Sequence, residues 1–415
     1  MAAEPAREPA APPGPAAEPA REPAAPQRRP APHVAVVGAG AFGGWAALML
    51  RRRGARVTLL DAWGPGNPRA SSHGETRVIR AMYGGDRVMT ALAARALTLW
   101  GENERRLGGP LYRRTGALWM IGADDSFVRA ALPTLRDAGL AVDEMTPVEA
   151  ATRWPQVSFE GVRRVVVERE AGYLHALEAC AAVARAFVGE GGEYRLASAE
   201  PDAHLPGSPP KSAAIEGMSA GPLRLGDGTT LAADQYVFAC GPWLGRLFPA
   251  LIGDRVRPTR QETFVFGPAP GDARFTDDAL PVWVDLGERI FYGVPAGGGR
   301  GFKVADDTRG PEFDPTAGDR TPGAAGAAAA RAFVARRFPA LATAPIVEAS
   351  VCQYENTPDR RFIVDRHPHA ANVFVVGGGS GHGFKMGPAI GEMVAEMVLE
   401  RRPATPELGL RRLLS

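Results

Sequence analysis

Gly38, Gly40 and Gly43 stand in G-x-G-x-x-G spacing, and Asp61 follows about 20 residues on, the arrangement that a dinucleotide fingerprint requires. Gly38 would permit the tight turn, Gly40 would let a pyrophosphate approach the amides of a helix N-terminus, and Gly43 would let helix and strand pack closely. Asp61 would accept hydrogen bonds from ribose hydroxyls. A bare glycine pattern is more often a packing turn, but here strand, helix and acid fall in register; FAD and NAD are not distinguished. The segment Ser71-Ser72-His73-Gly74-Glu75-Thr76-Arg77-Val78-Ile79-Arg80 holds two arginines at i and i+3. On a helical turn that spacing aims both guanidinium groups the same way. A solvated basic turn is the plainer reading, and His73 alone reads as a hydrogen-bonded loop residue. Near the C-terminus, Gly377-Gly378-Gly379-Ser380-Gly381-His382-Gly383-Phe384-Lys385 crosses from strand to helix. So many glycines there imply a backbone pressed against a ligand, with helix amides facing negative charge.

The elements that must position these residues are legible in outline. HVAVVGAGAFGGWAALMLRRRGARVTLLDAW reads as strand 33–37, helix 41–53 and strand 56–60, a βαβ unit. RRVVVERE, the hairpin LRLGDGTTLAADQYVFACG and ANVFVVGGG alternate with helices such as LHALEACAAVARAFV and PAIGEMVAEMVLE. LYRRTGALWMIG, RQETFVFG and PVWVDLGERIFYGVP read as longer antiparallel strands. The pattern predicts two interleaved domains, one α/β and one α+β. Residues 201–222 read as a surface loop. In residues 1–32 the undecamer AAEPAREPAAP occurs twice, and the Ala/Pro-rich composition predicts a disordered tail that is not a signal peptide.

Composition excludes several classes. The 415 residues, 45% hydrophobic, carry 48 basic against 46 acidic side chains, a net charge of +2 that leaves no single-sign surface for nucleic acid. No apolar run has the length of a membrane span. Three cysteines, Cys180, Cys240 and Cys352, are too few and scattered for a disulfide framework or paired-CxxC zinc site, so a reducing, cytoplasmic setting is expected. No metal is expected, His367 and His369 reading as surface turn residues. Only Lys211, Lys303 and Lys385 are lysines, so a lysine in this arginine-rich chain is not background.

VVGAGAFGG, SSHGETRVIR, FACGPW, FYGVPAGGGRGFKV, VCQYENTPDRRFIVDRHP and SGHGFK, in that order, resemble the monomeric sarcosine oxidase, N-methyltryptophan oxidase and pipecolate oxidase group of the FAD-dependent D-amino acid oxidase superfamily. The resemblance runs from residue 33 to about 410. It implies a Rossmann-like FAD-binding domain of glutathione-reductase type (33–110, 171–246, 357–415) interleaved with a substrate domain on an antiparallel sheet (111–170, 247–356). It further implies FAD attached through Cys352, which read alone is better taken as a buried thiol. Lys303 matches the lysine that promotes reaction with oxygen, and His73, Thr76 and Arg77 match residues lining the flavin. Arg80 and Lys385 match the pair holding the substrate carboxylate, and Tyr292 and Tyr354 match aromatics of the substrate pocket. Gly379, Gly381 and Gly383 join Gly38, Gly40, Gly43 and Asp61 around the cofactor. Asp307 falls where the family has an active-site histidine.

The implied reaction oxidises the C–N bond of a secondary amino acid to an imine and reduces oxygen to hydrogen peroxide, in a monomer. Cations at Arg77, Arg80 and Lys385 would disfavour a protonated amine, which has no lone pair and resists hydride loss. Alternatives are a dehydrogenase passing electrons to another acceptor, a biosynthetic desaturase, and a non-catalytic flavin-binding protein acting through its Pro-rich arm.

Overall fold

The glycine fingerprint lies where the chain leaves β1 (His33–Val37), turns, and enters α1 (Ala41–Arg52), with β2 (Arg56–Asp61) returning alongside. The computed structural model describes residues 1–3, 31–200, 219–297 and 300–414. The tail reading thus lies almost wholly outside the described residues, as does most of the loop reading for 201–222. β1 alternates its side chains: Val34 and Val36 enter one apolar cluster, Ala35 and Val37 another. A strand buried on both faces needs a sheet covered on both sides, which suits parallel topology.

The sheet containing β1 has six strands, in the order Ile363–Arg366, Val373–Gly377, Gln235–Phe238, β1, β2, Glu193–Leu196. All its pairings are parallel except the edge strand Ile363–Arg366. Helix α1 packs under the helix Gly387–Leu399, where a β-carbon on Gly391 would meet the Trp45 backbone at 2.7 Å. The expected hairpin splits: Leu223–Arg224 pairs with Thr230–Leu231, and Gln235–Phe238 joins the parallel sheet.

An eight-stranded sheet runs Ile346–Asn356, Arg257–Phe266, Phe302–Asp306, Ile290–Val294, Val282–Leu286, Ala117–Ile121, Arg164–Glu168, Val142–Met145. It is antiparallel apart from one parallel pair, Val282–Leu286 with Ala117–Ile121, and the helix Ala324–Arg337 packs on it through Phe333 and Val334. LYRRTGALWMIG is not one long strand. Tyr112–Arg113 pairs with Gly172–His175 in a separate three-stranded sheet, and only Ala117–Ile121 enters the large one.

That small sheet corrects a second expectation. Thr76–Ile79 is a strand paired with Gly172–His175, not a helical turn, because Thr76, Val78 and Ile79 are β-branched and find a ready partner edge. A third correction concerns His367, which is buried under Phe248, and burial pushes its imidazole down to about 4. No helix among the described residues is long and apolar enough to cross a membrane.

Candidate active site

A cleft runs from the C-terminal end of β1 to the edge of the eight-stranded sheet. Gly38, Gly40, Asp61 and Ser72 line it beside the start of α1, and Thr76, Arg77, Lys303, Cys352, Tyr354 and Glu355 line it further along, together with Gly379, Gly381 and Gly383. Gly38 takes φ +102°, and a β-carbon there would sit 2.3 Å from the Ala239 carbonyl oxygen. Gly381, at φ +83°, has Tyr354 where its β-carbon would be, 2.5 Å away. Gly43 lies outside the cleft and packs α1 against the turn. Asp61 accepts from the Ala39 amide at 2.7 Å and, through its other oxygen, from Trp63 and Gly64 at 2.9 and 2.7 Å. The amide of Ala41 at the start of α1 donates to the Ser72 hydroxyl at 2.9 Å.

Lys303 projects from its strand so that Nζ donates to the Thr76 carbonyl at 3.1 Å. Burial first, and Arg77 second, push its ammonium down to about 8. Arg77 donates to the carbonyls of Ser71, His73 and Thr76 and lies over the Phe384 ring. His73 does not reach the cleft: its Nδ1 meets the Gly66 carbonyl at 2.9 Å. Cys352 and Cys240 both line the cleft. The Cys240 thiol donates to the Val37 carbonyl at 3.4 Å, whereas Lys303 and Arg320 lie within electrostatic reach of Cys352. Cys180 sits outside the cleft, its thiol pushed up by burial to about 12.

A second cavity, of about 1240 Å³, adjoins the first and shares with it Arg77, Val78, Tyr292, Tyr354, Gly381 and Phe384. Arg80 lies between the rings of Tyr83 and Trp119, 4.7 and 5.3 Å from their centroids, and donates to the Met82 carbonyl. Lys385 comes from the turn Phe384–Met386, which is pinned where Trp100 Nε1 donates to the Lys385 carbonyl at 2.7 Å. Its Nζ donates to the His382 carbonyl at 2.9 Å, and burial, then Arg80, hold its ammonium well below the usual lysine range. Asp307 faces the same cavity. The Tyr354 hydroxyl donates to Asp307 Oδ1 at 3.2 Å and stands 3.1 Å from the Tyr292 hydroxyl, so the three form a chain. Burial raises the Asp307 carboxyl, against Arg80, the Tyr354 hydroxyl, Arg360 and Lys385.

Comparison with known proteins decides the class, since a model for FAD dependent oxidoreductases matches residues 33–397. The chain belongs to that family. A monomeric sarcosine oxidase from Streptomyces avermitilis is 31% identical over 383 residues, covering 91% of this chain and 96% of that one. An N-methyl-L-tryptophan oxidase from Salmonella arizonae is 28% identical over 374 residues, covering 89% and 95%. Among solved structures, L-proline dehydrogenase from P. horikoshii shares the fold with a TM-score of 0.78 at 21% identity, covering 92% of this chain and 98% of that one.

The first cleft of this FAD dependent oxidoreductase fits a flavin dinucleotide on its own geometry. The N-terminus of α1 opens onto it at Gly40 and Ala41, with Asp61 beside it, as a pyrophosphate and ribose require. Glu355, which the sequence reading passed over, adds an unmet polar atom. Its Oε1 accepts from the Gly379 amide at 3.0 Å, while Oε2 is buried with no hydrogen-bond partner among the described residues. His382 was quoted only as part of a motif, yet it stands between the Tyr83 hydroxyl at 3.1 Å and the Arg360 carbonyl at 2.9 Å. Only its place between glycines marked it.

Glu355 gives a pH prediction. Burial pushes its carboxyl up to about 7 from an ordinary 4.5. The folded state therefore holds a proton that the unfolded chain has released, and stability falls as pH rises from about 4.5 to about 7. At pH 8 the penalty is about 3 kcal/mol. Urea unfolding of the flavin-free protein at pH 5 and pH 8 should show the wild type losing about 2–3 kcal/mol relative to Glu355→Gln between the two pH values, the other titrating groups being common to both. Equal pH slopes in both proteins would remove the assignment.

Proposed function

We propose that this FAD dependent oxidoreductase oxidises the C–N bond of a secondary amino acid, N-methyl or cyclic, to an imine, with oxygen reduced to hydrogen peroxide. The observation that carries the reading is the pair Arg80 and Lys385 at the cavity adjoining the cofactor cleft, two cations suited to one carboxylate. The names of the relatives, monomeric sarcosine oxidase and N-methyl-L-tryptophan oxidase, support it. Segments 33–110, 171–246 and 357–415 would bind FAD, and 111–170 with 247–356 would frame the substrate. A monomer in a reducing, cytoplasmic setting accords with three unpaired cysteines.

FAD, when bound, supplies the two-electron acceptor. The chain's residues bind, orient and deprotonate. Arg80 and Lys385 hold the carboxylate. Their charges, with Arg77, disfavour an ammonium beside them, so the amine proton leaves on binding. The chain from Tyr292 through Tyr354 to Asp307 offers that proton a route to a carboxyl whose affinity burial has raised. Lys303 would keep a positive charge in the cofactor cleft, where oxygen would gain electrons.

The test mixes purified protein with N-methyl and cyclic amino acids, anaerobically and in air. Bleaching of the flavin followed by one peroxide per imine supports the reading. Bleaching without peroxide moves the enzyme to another acceptor, and no bleaching with any member removes the amino-acid reading.

Cys352 would hold FAD covalently, since it lines the cofactor cleft and, unlike Cys240, its thiol makes no hydrogen bond to a carbonyl among the described residues. Cys352→Ser should release its flavin on acid precipitation, whereas wild type and Cys240→Ser retain it. Release from the wild type would refute the linkage.

A further inference from the structure

The second cavity holds more positive charge than one carboxylate needs. Arg309 and Arg360 both line it and neither makes an ion pair among the described residues. Three other arginines at its rim have counter-ions: Arg361 with Asp86 at 2.5 Å, Arg289 with Asp306, Arg336 with Asp285 at 3.8 Å, whereas Arg77 and Arg80 are the cations already assigned to the reacting end. Asp359, beside Arg360 in sequence, is taken by Arg412 at 2.7 Å. Arg309 Nη2 is buried without a hydrogen-bond partner among the described residues. An unmet guanidinium N–H out of water is costly, so something with lone pairs belongs there.

Arg360 stands at the exposed rim of the cavity on a fixed backbone. Its φ of +62° is one that side-chain-bearing residues seldom take, and its carbonyl accepts from His382. Asp307 is within electrostatic reach of both sets of cations: its carboxyl senses Arg80, Arg360 and Lys385, and Arg309 in turn senses Arg360 and Asp307. A carboxyl raised by burial is an incomplete counter-ion for four cations. Asp124 and Glu288 also line the cavity, and neither ion-pairs with Arg309 or Arg360 among the described residues.

We propose that the substrate is an acidic N-substituted amino acid, its α-carboxylate on Arg80 and Lys385 and a second anionic group, carboxylate or phosphate, between Arg309 and Arg360. This rests on the amino-acid oxidation proposed above and adds the side-chain class. A cavity of about 1240 Å³ leaves ample space beyond a glycine-sized substrate.

The test compares kcat/KM and anaerobic flavin bleaching for N-methyl-L-aspartate, N-methyl-L-glutamate and O-phospho-N-methylserine with N-methyl-L-asparagine, N-methyl-L-glutamine and N-methylserine. At least one acidic member should exceed its neutral isostere by about tenfold or more, the usual range for hydrogen bonds to a charged group. Which one does so separates carboxylate from phosphate. In the double variant Arg309→Gln/Arg360→Gln the acidic-to-neutral ratio should fall toward one. A binding readout independent of turnover is the flavin spectrum titrated with succinate against butyrate, where the dicarboxylate should bind more tightly. Neutral members oxidised as well as acidic ones would overturn the inference and leave amino-acid oxidation standing, and so would a ratio unchanged in the double variant. If no N-substituted amino acid bleaches the flavin, both readings fall. The wild-type panel decides even if the double variant does not fold.

Discussion

Replacing Lys303 with Met is expected to slow reoxidation of the reduced flavin by oxygen about a hundredfold or more, the usual loss when one charge-stabilising group is removed where charge develops. Anaerobic reduction by substrate should slow far less. The argument rests on where the ammonium is held. Nζ donates to the Thr76 carbonyl at 3.1 Å, in the wall of the cleft that also holds Cys352. Oxygen arrives neutral and becomes negative as it takes its first electron, so a fixed positive charge favours the electron transfer and not the arrival. The pH dependence gives a second signature. Burial, then Arg77, lower the Lys303 ammonium to about 8, against the pull of Cys352 and Glu348. The charged form is therefore present below about pH 8 and lost above it, so reoxidation should slow as pH rises through that value. Lys303→Met should flatten this limb. Equal slowing of both half-reactions would take the role away from Lys303.

Sequence legibility followed the range of the interactions. The βαβ unit with Gly38, Gly40 and Asp61 could be read because its apolar alternation, glycine turn and acid lie within one short segment, and the structure places them together. Lys385 was legible through composition, as one of three lysines. The strand nature of Thr76–Ile79 was not, since it depends on an edge at Gly172–His175 that no local pattern announces. The same holds for the parallel pair between Val282–Leu286 and Ala117–Ile121 inside an antiparallel sheet. Glu355, His382, Arg309 and Arg360 escaped notice for a related reason. Each matters through what it lacks or through a distant partner, such as Tyr83 for His382, and an unmet hydrogen bond leaves no mark on sequence. His73 shows the converse, a motif residue that the fold turns to the Gly66 carbonyl.

Replacing Arg80 or Lys385 with Met should weaken binding of carboxylate ligands by about 2–5 kcal/mol, the usual cost of losing one member of a desolvated charge arrangement. Both side chains are held without a carboxylate partner within ion-pair distance among the described residues. Arg80 lies between Tyr83 and Trp119 and donates to the Met82 carbonyl, and Lys385, only 4% exposed, donates to the His382 carbonyl. Two cations kept close at a cavity wall repel each other, and an arriving carboxylate relieves the repulsion. Because burial and Arg80 hold the Lys385 ammonium well below its usual range, that anion also raises the proton affinity of Nζ. Carboxylate binding should therefore weaken as pH rises, and Lys385→Met should lose most of that dependence while Arg80→Met, which removes one cause of the lowering, shifts it to higher pH. Anaerobic titration of the flavin spectrum with acetate-class ligands across pH measures both effects. Turnover of the matching decarboxylated amines should suffer much less than turnover of amino acids, since the missing charges have no partner there. If both variants bind carboxylates like wild type, or if the wild type prefers amines without a carboxylate, the pair has another purpose and an amine class replaces the amino acid.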